Sequence, residues 1–167
     1  MSGTPAPRPR GGSRIREHTQ AAESAGLSCH IREFGPLRLA LTLDAGGALA
    51  AVRLPGAPPE GLNAGHLAQA LRALDGIPVA PQDNPSRRAF QEALCQVPAG
   101  STVSYGELAA RLQTSPRAVA SRCAANPVLL RIPCHRVTAK NHAGGFQAGP
   151  AWKGLLLRLE SELYPRG

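Results

Sequence analysis

The chain has 167 residues, of which 43% are hydrophobic and 18% charged, and carries a net charge of +8 at pH 7. That length buries a core without covalent staples, and the composition excludes a fibrous or wholly disordered protein. No apolar run approaches the roughly 20 residues a membrane span requires, and Cys29, Cys95, Cys123 and Cys134 show no paired spacing. The expectation is a cytoplasmic protein with free thiols and no membrane partner.

Residues 1–22, rich in Pro, Gly, Ser and Arg, lack apolar periodicity and are predicted to be a disordered basic tail. From Leu27 to Leu54 apolar and polar residues alternate in two runs separated by Asp44-Ala45-Gly46-Gly47, which predicts a hairpin with room for a third strand. Leu67, Ala70, Leu71 and Leu74 form a helical stripe closed by Gly76. The segment PVAPQDNPS then breaks the pattern. Charge shifts at the same place, since residues 86–167 hold +7 of the net +8. A boundary is therefore placed there, between an N-terminal α/β domain over 23–82 and a C-terminal domain over 83–167.

In the second half Ser86 is expected to cap a helix with Phe90, Ala93, Leu94 and Val97 on one face, ended by Pro98-Ala99-Gly100. Ser104 and Glu107 have capping-box spacing for a short helix through Leu112. Gln113-Thr114 make a turn, and Ser115-Pro116 start a second helix that Asn126-Pro127 ends. Two short helices joined by a tight turn resemble a helix-turn-helix. VLLRI is read as an extended segment leading into Pro133-Cys134-His135-Arg136, HAGGFQAGP as a loop, and AWKGLLLRLESEL as the last helix. The fold class is α+β.

Cys134 admits three readings: packing, metal ligation or nucleophilic chemistry. Between Glu107 and Glu160 there is no acidic residue, and such a field attracts a polyanion and lowers thiol pKa values. His135 is its neighbour, but adjacent residues of an extended segment point to opposite sides, so a turn or a water must lie between base and sulfur. Cys123 falls four residues after Val119 on the apolar side of its helix and reads as core. Cys29-His30 has no second cysteine nearby, so no metal site is expected.

In order, VSYGELA, SPRAVASRCAANPV, IPCHRV, a Gly-rich loop with GFQAG and a closing KGLLLRLE resemble the C-terminal domain of the O6-alkylguanine-DNA alkyltransferases, closely over residues 86–162. The resemblance implies a ribonuclease-H-like N-terminal domain and a winged-helix-like C-terminal one. It implies irreversible, single-turnover transfer of an alkyl group from O6-alkylguanine in double-stranded DNA to Cys134, and leaves open whether O4-alkylthymine is also a substrate. No cofactor is implied, and the protein is expected to act as a monomer. His135 would act on Cys134 through a water and be held by Glu160. Tyr105 would protonate the leaving guanine, and Asn126 would be the hinge before the acceptor. Arg117 would replace the flipped nucleotide in the stack, with Ala118, Ala120, Ser121 and Arg136 at the DNA and Pro133, Val137, Phe146 and Gln147 around the alkyl group.

Small residues on a helix allow the close approach that minor-groove binding needs, and a base must leave the stack before its edge can react. Two other classes stay open at this point. One is a helix-turn-helix regulator or a binder of alkylated DNA without transfer, and the other is a cysteine hydrolase using Cys134 and His135. The chain departs from the family pattern at Phe146, where tyrosine is frequent, and at Arg122 and Cys123, where small or amide-bearing residues are usual. Its Gly-rich loop is also about one residue short.

Overall fold

The computed structural model describes residues 25–165, and the tail predicted over residues 1–22 lies outside them. Three antiparallel strands come first: β1 (Ser28–Phe34), β2 (Leu37–Leu43) and β3 (Leu49–Arg53), in the order β1-β2-β3. The run read as one strand is two, because Gly35, at φ 59°, turns the chain between them. A β-carbon at Gly35 would sit 2.4 Å from the His66 ring, so the tight turn and the close helix both require glycine. β2 buries Leu37, Leu39 and Leu41 against the core, while β1 is largely exposed.

Helix α1 (Ala64–Asp75) starts at Asn63, whose side chain accepts from the His66 backbone N–H, and buries Leu67, Ala70 and Leu74. Helix α2 (Pro85–Cys95) is capped by Asn84 rather than by Ser86, with Pro85 at the first helical position. Proline lacks the N–H that would be orphaned there, so its preference moves the cap back two residues. The Ser86 hydroxyl instead accepts from the Arg122 guanidinium.

The pair α3 (Tyr105–Arg111) and α4 (Pro116–Ala124) follows. Ser104 and Glu107 form the capping box of α3, and Ser115 caps α4. The turn between them uses a left-handed residue, Gln113, at φ 52°. Leu108 and Ala109 of α3 and Val119 and Cys123 of α4 are buried, which gives each helix one apolar face.

Residues 127–133 are not the extended segment expected. Val128 forms a parallel bridge with Val52, the Val52 N–H donates to Pro127 O, and the Leu129 N–H donates to Val52 O. The chain then turns through Leu130, at φ 66°, into a single 3-10 turn over Cys134–Arg136. The pull of the β3 edge on one side and the Asn126 side chain on the other bends a segment whose apolar composition alone reads as strand. After the 3-10 turn, β5 (Val137–Thr138) pairs in parallel with β4 (Val103–Ser104). Since Tyr105 directly follows β4 and Cys134–Arg136 directly precedes β5, this short ladder sets the two segments side by side.

Helix α5 (Pro150–Leu163) closes the fold and packs on α1, and its Trp152 indole N–H donates to Gly56 O at 2.8 Å. The buried side chains of sheet and helices form one continuous cluster from Leu37 to Leu159. Among the described residues the architecture is α+β, with a small antiparallel sheet and five α-helices.

Candidate active site

Glu160, on α5, has no exposed surface and collects four hydrogen bonds. Its Oε1 accepts from His135 Nε2 and from Arg136 Nη2, each at 2.8 Å, and its Oε2 accepts from Arg136 Nε at 2.9 Å and from the Gly100 N–H at 3.4 Å. Arg136 completes its own set by donating to Val97 O. Burial alone would raise the Glu160 carboxyl, but the hydrogen bonds from His135 and Arg136 outweigh it and hold the group down to about 2. A carboxylate only accepts, so His135 carries a proton on Nε2, and Nδ1 is the nitrogen left to accept in the neutral ring. That Nδ1 is buried with no protein partner among the described residues.

Cys134 is 2% exposed at the start of the 3-10 turn. The Asn126 amide fixes it: Nδ2 donates to Ile132 O at 2.9 Å and to Cys134 Sγ at 3.2 Å, and Oδ1 accepts from the Val128 N–H. The expectation of a depressed thiol pKa does not hold. Burial pushes the thiol up, and the Asn126 hydrogen bond and the Lys153 charge pull it back only in part. Burial is the largest effect, and the neighbouring Arg136 guanidinium is engaged by Glu160. The resting group is a thiol, so reaction requires a base.

An apolar cavity of about 230 Å³ opens onto Cys134. Its walls are Tyr105 from α3, Ala120, Cys123 and Ala124 from α4, and Gly145, Phe146 and Gln147 from the Gly-rich loop. Burial raises the Tyr105 hydroxyl, the two nearby thiols raise it further and the Gly145 N–H bonded to its oxygen opposes them, so the phenol stays protonated at neutral pH. Gly144, at φ 78°, lies against that ring, where a β-carbon would stand 2.8 Å from the hydroxyl. Phe146 meets His135 edge-on with ring centroids 6.2 Å apart.

Lys153 was not anticipated. It is fully buried, donates to Val137 O at 2.6 Å and Gly145 O at 2.9 Å, and sits 5.8 Å from the Tyr105 ring centroid. Burial lowers its pKa while the Cys123 and Cys134 thiols act to raise it. The signal was available in the sequence, because Lys153, Leu156 and Glu160 recur at helical spacing on one stripe. Two charges within an apolar stripe mark a buried polar site. Cys123 is buried as expected, and its thiol is pushed up to about 12 by burial with Cys134 adding to the effect and Lys153 opposing it. It also lines the cavity, which its reading as core did not foresee.

Other expectations are corrected. Arg136, expected at DNA, is 8% exposed and belongs to the Glu160 network. Pro133 and Val137, expected around the alkyl group, are buried and are not among the residues that line the cavity. On α4, Arg117, Ala120 and Ser121 are exposed and Ala118 is half-buried, so the small residues and the arginine lie on its outer side.

A family model described as the DNA binding domain of 6-O-methylguanine DNA methyltransferase matches residues 85–162. Residues 85–162 are therefore similar to that domain. A methylated-DNA–protein-cysteine methyltransferase from Metallosphaera sedula is 42% identical to this chain over 89 residues, which are 53% of this chain and 57% of that protein. The chain thus matches just over half the length of such curated relatives. The crystal structure of Mycobacterium tuberculosis O6-methylguanine methyltransferase superposes with a TM-score of 0.64 at 24% identity, over 84% of this chain and 96% of that one. A structure of the same organism's protein in complex with DNA superposes at 0.62 and 23% identity, over 83% and 94%. The fold likeness therefore extends beyond the methyltransferase DNA-binding domain into the sheet and α1.

Proposed function

We propose that the protein reverses alkylation damage in double-stranded DNA by moving the alkyl group from O6 of guanine to Cys134 Sγ. The observation that carries this reading is a buried thiol opening onto a small apolar cavity, followed in the chain by a histidine whose Nε2 donates to Glu160 and whose Nδ1 has no partner among the described residues. In the proposed sequence the thiol proton passes to His135 Nδ1 through a bridging water, and Glu160 stabilises the imidazolium. Asn126 and Lys153 stabilise the thiolate. Sulfur attacks the alkyl carbon, the carbon–O6 bond breaks, and the Tyr105 hydroxyl gives its proton to the guanine ring as negative charge develops there. The acceptor is the chain's own sulfur, so the transfer balances without a cofactor. A thioether is stable in water, so each molecule acts once.

In this reading α3 and α4 form a winged-helix-like helix-turn-helix that lays α4 in the minor groove, and the sheet and α1 form a ribonuclease-H-like unit. The protein acts as a monomer in the cytoplasm. The family model's DNA-binding description and the DNA complex of the tuberculosis protein support DNA as the partner. The low exposure of Cys134 supports flipping, because a base inside the duplex does not reach a thiol beneath the surface. The test is to incubate the protein with a duplex containing O6-methylguanine and read intact and peptide masses. One methyl on the Cys134 peptide with guanine restored supports the proposal. Unmodified protein bound to an intact lesion overturns it in favour of a non-transferring binder.

Arg117, exposed in the first turn of α4, is the candidate to fill the vacated stack. Arg117→Ala is expected to slow transfer from duplex roughly ten- to a hundredfold, the scale of an unstacking cost of a few kcal/mol, while transfer from free O6-benzylguanine stays within about twofold. Single-turnover rates on the two substrates check this, and equal losses would remove the wedge role.

A further inference from the structure

The Gly-rich loop is tied down at both ends of the cavity mouth. On the Tyr105 side, Gly145 O accepts from Lys153 Nζ at 2.9 Å and Gly144 rests on the Tyr105 ring. On the α4 side the tie is a single side chain. Gln147 Nε2 donates to Ala124 O and, at 3.1 Å, to Asn126 O, at the C-terminal end of α4. These carbonyls lie where a helix leaves its last acceptors without partners, so a donor supplied by the loop is well matched to them. Gln147, Phe146 and Gly145 on one side and Ala120, Cys123 and Ala124 on the other are all cavity walls. The clasp therefore spans the mouth through which a group must pass to reach Cys134.

We propose that Gln147 is a specificity-determining positioning residue: its amide clasps the Gly-rich loop to the end of α4 and so limits the size of the alkyl group admitted to Cys134. The proposal rests on the alkyl-transfer reading. Gln147 need not touch the reacting atoms, because it acts by holding Gly145 and Phe146 at a fixed distance from Ala120 and Ala124. With the amide removed, the loop keeps its anchor at Lys153 and gains freedom at the rim, which relieves a bulky adduct more than a methyl group. Chemistry at the clasp sets the pattern among variants. A donor is needed, so Gln147→Lys keeps the clasp, with its cation favoured at a helix C-terminus. Gln147→Ala loses the donor, and Gln147→Glu places a carboxylate against two carbonyl oxygens.

The experiment measures single-turnover transfer to Cys134 from duplexes carrying O6-methylguanine or O6-benzylguanine, for the full chain and the three variants, with thermal melting of each. The expected result is a benzyl-to-methyl rate ratio raised about tenfold in Gln147→Ala and Gln147→Glu, the discrimination one well-placed pocket contact supplies, and unchanged in Gln147→Lys. A loop that merely stabilises the fold would lower both rates together and leave the ratio constant. An unchanged ratio in Gln147→Glu, or a ratio in Gln147→Lys equal to that in Gln147→Ala, overturns the clasp. Absence of alkyl transfer in the unsubstituted protein overturns the underlying reading instead, so the two failures are distinct.

Discussion

Glu160→Ala is expected to lower folding stability by about 3–5 kcal/mol and to abolish alkyl retention on Cys134. The substitution leaves Arg136 as a buried cation with Val97 O as its remaining partner among the described residues and frees His135 to adopt either tautomer. Glu160→Gln separates charge from shape. It keeps the volume and one acceptor oxygen but removes the negative charge. The carboxyl is held at about 2 in the folded protein against its ordinary 4.5. A depressed carboxyl contributes stability that is complete above 4.5 and lost as pH falls toward 2. The unsubstituted protein should therefore lose roughly 3 kcal/mol across that window, and its advantage over Glu160→Gln should vanish near its lower end. Urea denaturation at stepped pH measures this, and a difference independent of pH would show that charge at Glu160 does not hold the network.

Tyr105→Phe is expected to reduce the rate of transfer about a hundredfold or more, within the range a positioned general acid supplies. The ring stays in place, because Gly144 and the Lys153 ammonium both meet its carbon frame. The loss should fall on chemistry rather than on binding. A purine that leaves as a more stable anion needs less help from a proton donor. The deficit of Tyr105→Phe should shrink for such a leaving group, and an equal deficit for both purines would assign the hydroxyl a positioning role.

The legible parts of this chain are those where local chemistry and tertiary packing ask for the same thing. Ser104 with Glu107 and Ser115 with Pro116 start helices in the structure because their side chains satisfy orphan N–H groups whatever surrounds them. The residues misread are those whose surroundings come from elsewhere in the chain. Arg136 carries the same sequence signal as an exposed arginine, and only α5, arriving more than twenty residues later with Glu160, takes it inside. VLLRI looks like a strand, and a long-range bridge to Val52 bends it. Cys134 lies in a basic sequence window, but charge along the chain is not charge at the sulfur. Among the described residues the Lys153 charge acts to lower the thiol pKa, and burial still wins.

The bridge between Val52 and the segment after Asn126 also orders events in time. The two partners of that bridge are 76 positions apart in the chain, so the loop they close is long and its formation slow compared with the hairpins and helix turns on either side. During synthesis the three strands leave the ribosome before α4 exists, and they can assemble while the remainder is still being made. When residues 127–129 emerge, β3 has already been made and its edge can serve as their template. Cys134 lies five residues further on, so its buried position rests on a contact that can close only after the strands and α4 have been made.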